Sequence, residues 1–126
     1  MKQKIVLIVD DEPIVRLGTV MIIQSLGFDA KECSSGEAAL SELCNTVFDA
    51  IIMDCNMPDM DGLACTTIIR ERERGSGKRI PILGWTSNEE ATTRNSCIKA
   101  GMNDCLHKTS SVETLKSTLK QLLNAN

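Results

Sequence analysis

Short apolar runs alternate along this chain with longer segments in which apolar residues recur every three or four positions. The first run, KIVLIV (4–9), is apolar without a break, the pattern of a central parallel strand covered on both faces. Residues 13–26 then place Ile14, Leu17, Met21 and Ile22 on one helical face, with Pro13 in the first turn and Gly27 just past the end. DAKEC (29–33) predicts an edge-like strand and GEAALSELC (36–44) a short helix. DAIIM (49–53) is again of buried-strand type, and residues 61–73 predict a helix on Leu63, Ile68 and Ile69. The charged run RERER (70–74) reads as the solvated end of that helix, and GSGK (75–78) as a turn. IPILGW (80–85) predicts a strand with Pro81 near its start, where a missing N–H is tolerated. Residues 88–100 predict a helix of weak propensity, because Thr92, Thr93, Asn95 and Ser96 compete with the backbone. DCLH (104–107) is a short strand, and residues 111–123 close the chain as a helix on Val112, Leu115, Leu119 and Leu122, with Ser110 or Ser111 as N-cap.

Five strands, each followed by a helix, predict an α/β fold: a doubly wound five-stranded parallel sheet of order 2-1-3-4-5, a flavodoxin-like (βα)5 arrangement in one domain spanning 1–126. Ligands of such sheets sit beyond the carboxyl ends of the strands, at the point where the strand order reverses. Here those ends carry acids. The first strand runs into Asp10 and Asp11, and the third into Asp54, which is followed by the Pro/Gly-punctuated loop CNMPDMDG (55–62). Adjacent strands lie about 4.8 Å apart, so three carboxylates converge and would repel one another unless a cation joins them. Mg²⁺ suits such a site, with Asp11 and Asp54 as direct ligands and a backbone carbonyl of the following loop beside them. The fourth strand ends at Thr86, which offers a hydroxyl, and the fifth leads to Lys108, within side-chain reach of Asp54. A nucleophilic carboxylate, a hard cation, a hydroxyl and an ammonium make a phosphoryl-transfer constellation. Asp10 and Asp11 also read locally as an N-cap pair before Pro13, a role compatible with metal binding. His107 is expected to point away from this site by strand alternation, and Trp85 to lie in the core or cover a loop.

Composition narrows the function further. Two Phe, one Trp and no Tyr leave little for base stacking, and a net charge of -3 argues against a nucleic-acid backbone as a direct partner. The six cysteines (33, 44, 55, 65, 97 and 105) contain no Cys-x-x-Cys pair and share the chain with a single histidine, a spacing that matches no zinc site. They read as reduced thiols packed as small hydrophobes in the cytoplasm. The apolar run before Asp10 is too short for a membrane span, so no membrane insertion by this domain is expected.

VDDEP (9–13), MDCNMPDMDG (53–62), PILGWTS (81–87) and GMNDCLHK (101–108) together resemble the signature segments of response-regulator receiver domains, and the resemblance covers essentially the whole chain. It implies a two-component or phosphorelay signalling domain whose phospho-acceptor is Asp54. It further implies Mg²⁺ bound by Asp11 and Asp54 directly, by Asp10 through water and by the carbonyl of Asn56. Thr86 would follow the phosphoryl group and Lys108 would bind it. IPIL and AGMNDCL are most similar to receivers attached to hybrid sensor kinases, which implies a histidine kinase or histidine phosphotransfer domain as partner. The setting would be cytoplasmic, either free or as part of a membrane-bound sensor kinase. Catalysis would be limited to self-phosphorylation and slow autodephosphorylation rather than conventional turnover. A dehalogenase-type hydrolase, which also uses a nucleophilic Asp with Mg²⁺, needs an acid two residues after the nucleophile; Asn56 stands there instead. An interaction module without phosphorylation is the other alternative. Cys105 and Thr109 depart from the family, which commonly has an aromatic residue and a proline at these places. The small Cys105 is therefore not expected to transmit the signal, which would pass through the segment after Thr86.

Overall fold

The computed structural model describes residues 3–87 and 91–124. Among them β1 (Ile5–Val9), α1 (Pro13–Ser25), β2 (Asp29–Cys33), α2 (Gly36–Asn45), β3 (Ala50–Asp54), α3 (Gly62–Glu73), β4 (Ile82–Thr86), α4 (Ala91–Ala100), β5 (Asp104–His107) and α5 (Val112–Asn124) follow in strict alternation. Residues 88–90 of the helix expected over 88–100 lie outside the described residues. The strands pair in parallel in the order β2-β1-β3-β4-β5, as the alternation predicts. The unbroken apolar runs sit where both sheet faces are covered: every residue of β3 and β4 is buried. The two edge strands are less covered: no residue of β2 is buried, and in β5 only Cys105 is.

Two apolar layers flank the sheet. On one side Leu7, Val9, Ile51 and Met53 meet Ala39 and Leu40 of α2, Cys65 and Ile69 of α3, and Cys97 of α4. On the other, Val6, Ile8, Ile52, Leu83 and Trp85 meet Val20 and Ile23 of α1 with Leu115, Leu119 and Leu123 of α5. Trp85 is thus a core residue. Local signals set the helix starts. Ser35 caps α2 by accepting from the Ala38 N–H (3.1 Å), Asp61 caps α3 through Ala64 (2.8 Å), and Ser111 caps α5 through Thr114 (3.1 Å). Two expectations change. The N-cap of α1 is Glu12, which makes no side-chain cap bond; Asp10 instead accepts the Glu12 N–H at 2.9 Å. The RERER run is not simply solvated. Arg70 donates to the carbonyls of Gly101 (2.8 Å) and Ile80 (2.8 Å) and to Asn103 (3.0 Å), and pairs with Glu73 at 2.7 Å, so it ties α3 to the segments on either side of β4.

α1 turns three of the four residues of the apolar face read from its periodicity outward; the fourth, Ile22, packs against the core. Ile14 is 86% exposed, Leu17 56% and Met21 61%, whereas the face on the sheet is Thr19, Val20 and Ile23. A stripe of large apolar side chains on a helix that already packs by its other face is an unmet binding surface.

Candidate functional site

Asp10 and Asp54 are fully buried carboxylates at the ends of adjacent strands, 0% and 1% exposed. What keeps them there is Lys108. Its ammonium, on a side chain only 9% exposed, lies 3.1 Å from Asp10 Oδ2, 3.2 Å from Asp54 Oδ2 and 3.1 Å from Glu12 Oε1. Burial alone would lower the lysine pKa, but hydrogen bonds to Asp10 and Glu12 and the field of Asp54 outweigh it and hold the pKa above its ordinary value. Asp10, Asp11, Glu12 and Asp54 each bring a carboxylate oxygen within 4.8 Å of the others. Asp11 Oδ1 is buried without a hydrogen-bond partner. An all-oxygen set with an unsatisfied buried oxygen fits a hard divalent cation.

The backbone holds this cluster rigidly. Arg16 donates to the Asp10 carbonyl at 2.9 Å and pairs with Glu32 at 2.8 Å, anchoring the β1–α1 loop to β2. Asp54 Oδ1 accepts the Asn56 N–H at 3.0 Å, and the Gly62 N–H donates to the Cys55 carbonyl at 3.2 Å. A Cβ on Gly62 would run into the Asp54 carbonyl, so the first turn of α3 approaches the acid closely only because residue 62 is glycine. Gly62→Ala is expected to cost about 1–3 kcal/mol of stability and to shift the Asp54 amide resonance; denaturant melts and an NMR spectrum check both.

Thr86 does not address Asp54. Its hydroxyl donates to Asn56 Oδ1 at 3.2 Å, so the Asn56 side chain, and not only its carbonyl, belongs to the site. His107 points away from the carboxylates, as strand alternation predicts, yet it ties two loops together. Its Nδ1 accepts the Thr109 N–H (3.1 Å) and its Nε2 meets the Ser87 carbonyl (3.0 Å), which places the ring proton on Nε2. The Lys108 N–H reaches the Thr86 carbonyl at 2.7 Å, so Thr109 is held firmly without the ring of a proline. Among the described residues all peptide bonds are trans, Lys108–Thr109 included. The fold brings Asp10, Asp11, Asp54, Asn56, Thr86 and Lys108, the candidates named from the sequence, to one pole; Glu12 joins them there and His107 ties the neighbouring loops, and for both the only signal in the sequence was adjacency to those candidates. A cavity of about 510 Å³ between Phe48, Ile69, Lys78 and Pro81 opens at the opposite pole.

With this geometry in place, the relatives of the chain are decisive: residues 6–120 match the response regulator receiver domain. The chain belongs to that family. The receiver is 37% identical over 114 residues to the sensor histidine kinase RcsC of Salmonella typhimurium, covering 90% of this chain and 12% of that protein. It is 38% identical over 117 residues to the sensor protein EvgS of Escherichia coli K12, covering 93% and 9% respectively. It therefore spans a small part of the curated relatives it matches. Among solved structures it is similar to the receiver domain of the sensor histidine kinase PA1611 of Pseudomonas aeruginosa, which has a magnesium ion coordinated in its active-site cleft. That likeness has a TM-score of 0.86 at 32% identity and covers 97% of this chain and 98% of that one. No helix among the described residues is long and apolar enough to cross a membrane.

Burial, joined by the charge of Asp10, pushes the Asp54 carboxyl of this receiver up to about 7, against the pull of the Asn56 N–H and Lys108. A carboxyl raised in the folded state contributes stability that is complete below its unfolded pKa of about 4 and is lost as pH rises towards 7. Metal-free protein is accordingly expected to lose on the order of 2 kcal/mol between pH 5 and pH 8 from this group. Asp54→Asn should flatten that part of the profile, which thermal melts at the two pH values would read; an unchanged slope would place the titration elsewhere.

Proposed function

We propose that this receiver accepts a phosphoryl group onto Asp54 from a phosphohistidine of a histidine kinase or histidine phosphotransfer domain, in a Mg²⁺-dependent reaction, and so switches a partner-binding surface. The observation that carries this is the placement of Asp54: a buried carboxylate at a strand end, with the Lys108 ammonium at 3.2 Å and the carboxylates of the β1–α1 loop beside it. Asp10, Asp11, Asp54 and the carbonyl of Asn56 would hold Mg²⁺, which when bound neutralises charge on the transferring phosphoryl oxygens. An Asp54 oxygen attacks phosphorus in line as the P–N bond breaks, and the imidazole of the donor keeps the bonding pair. Lys108 already sits on the Asp54 oxygen and stays with the new phosphoryl group. Thr86 exchanges its bond to Asn56 for one to a phosphoryl oxygen, which pulls on the end of β4 and the segment leading to α4. The reading of Cys105 as too small to carry the signal agrees with its place in the core, 8% exposed.

The exposed stripe Ile14, Leu17 and Met21 begins two residues after Glu12. It supplies the donor's docking face: an apolar helix surface beside the acid cluster can seat a helix of the phosphohistidine domain against the site. A turnover hydrolase is disfavoured because Asn56, engaged with Thr86, offers no general acid or base.

The test is phosphotransfer from candidate kinases with Mg²⁺, followed by intact-mass measurement. One phosphoryl addition, labile to hydroxylamine and absent in Asp54→Asn, is expected. A label that persists in that variant would assign the chemistry to another residue.

A further inference from the structure

Cys55, Cys97 and Cys105 lie far apart in the chain, yet their sulfurs all fall within 4.8 Å of one another. The Sγ atoms of Cys55 and Cys97 are 3.3 Å apart. Cys55 follows Asp54 at the end of β3, Cys97 lies on the inner face of α4, and Cys105 is in β5, so three elements each contribute one thiol. The three are 2%, 0% and 8% exposed. A fourth sulfur is close by. A Cβ built on Gly84 would lie 2.7 Å from Met102 Sδ and 3.1 Å from Cys105 Sγ, so the thioether and a cluster thiol share the space that the glycine leaves open.

We propose that Cys55, Cys97 and Cys105 form a binding site for a soft monovalent cation, copper(I), beneath the α4 face of the receiver, with Met102 as an adjoining thioether. The donor set decides the ion. It is entirely sulfur, and soft thiolate and thioether ligands favour copper(I), zinc and iron–sulfur clusters. Zinc takes four ligands from thiolate, imidazole and carboxylate, or keeps a water in the fourth position; among the described residues no imidazole or carboxylate joins the cluster, and its three thiols are buried. A three-coordinate ion with bonds of about 2.3 Å holds its sulfurs about 4 Å apart, so the Cys55–Cys97 pair, at 3.3 Å, opens slightly to take it. Each cysteine thiol that binds gives its S–H proton to solvent, the Met102 thioether binds without losing a proton, and no electron is transferred. The bound ion ties α4 to the sheet one residue from Asp54, a second input to the helix that phosphorylation is proposed to move.

Anaerobic titration of the whole chain with copper(I), against a chromophoric copper(I) chelator, tests this. Wild type should bind one ion per chain, with only sulfur neighbours in its X-ray absorption spectrum. Cys97→Ala and Cys105→Ala should each weaken binding by at least about 100-fold, since even loss of a ligand's hydrogen-bonding partner costs 10–100-fold at metal sites. Cys33→Ser and Cys44→Ser, outside the cluster, should leave it unchanged. Because a core variant can fail to fold, wild type is read independently: copper(I) should protect three of the six thiols from a maleimide in urea-loosened protein. Equal affinity in the cluster variants, nitrogen or oxygen neighbours, loss of binding in Cys44→Ser, failure of thiol protection, or zinc bound as tightly as copper(I) would each overturn the assignment.

Discussion

Lys108→Ala is expected to lower phosphorylation of Asp54 by about 100-fold or more while leaving Mg²⁺ binding intact or tighter. The lysine is the cation between Asp10, Glu12 and Asp54, with all three carboxylates at 3.1–3.2 Å. Removing one positioned donor from a site where charge develops in the transition state typically costs 10²–10³ in rate. A bound dication loses a competitor for the same oxygens, so its affinity moves the other way. That opposition separates a role in catalysis from simple unfolding, which would lower both. The metal-free variant should also be less stable by about 3–5 kcal/mol, the usual penalty for leaving one side of a buried ion pair uncompensated. The loss should be larger at pH 8 than at pH 5, because Asp54, whose pKa sits at about 7, is charged at the higher value and mostly neutral at the lower. Stopped-flow phosphorylation with a small acyl phosphate, Mg²⁺ titration and denaturant melts at the two pH values measure the three effects. Equal losses in both Mg²⁺ binding and phosphorylation would mean the lysine only holds the fold.

Leu17→Asp should reduce phosphotransfer from a cognate histidine kinase or phosphotransfer domain by about 30-fold or more, the scale of an interface hot spot of 2 kcal/mol or above. Phosphorylation by a small acyl phosphate should not change. The split follows from geometry. Leu17 is more than half exposed on α1 and touches neither core, whereas a small donor needs only the cluster of Asp54 and Lys108. Ile14→Asp should behave alike, and Lys116→Asp, on the helix α5, should not. A Leu17→Asp variant that loses both reactions, or neither, removes α1 from the docking face.

Much of this was legible before any coordinates. The unbroken apolar runs ending in Asp10 and Asp54 marked parallel strands buried on both sides, and β3 and β4 are buried along their whole length. In a parallel sheet every strand points the same way, so acids placed after strands meet at one pole whatever the intervening helices contain. Site residues that follow strand ends, Asp54, Thr86 and Lys108 among them, were therefore readable from position alone. The cap at Ser111, one of the two serines the sequence offered, was equally local, since a cap needs only its own first turn.

Other features depended on what each side chain meets across the fold, and periodicity carries no information about that. The sequence determined that α1 has an apolar face; only packing decided that Ile14, Leu17 and Met21 would face outward while Thr19, Val20 and Ile23 meet the sheet. A hydrophobic stripe can serve a core or a partner, and the two look alike along the chain. RERER reads as solvated, yet Arg70 finds its acceptors at Ile80, Gly101 and Asn103, which come beside it only once β4 and β5 are in place. Thr86 was placed by its strand, but its hydroxyl partner, the Asn56 side chain, lies on the neighbouring strand's loop. Three cysteines with no shared spacing become one cluster because β3 and β5 flank β4 in the sheet and α4 packs on the same side of it. What the sequence alone determined was whatever local geometry and strand direction dictate; the tertiary structure decided which side chains become neighbours, because contact requires distant segments to close on one another.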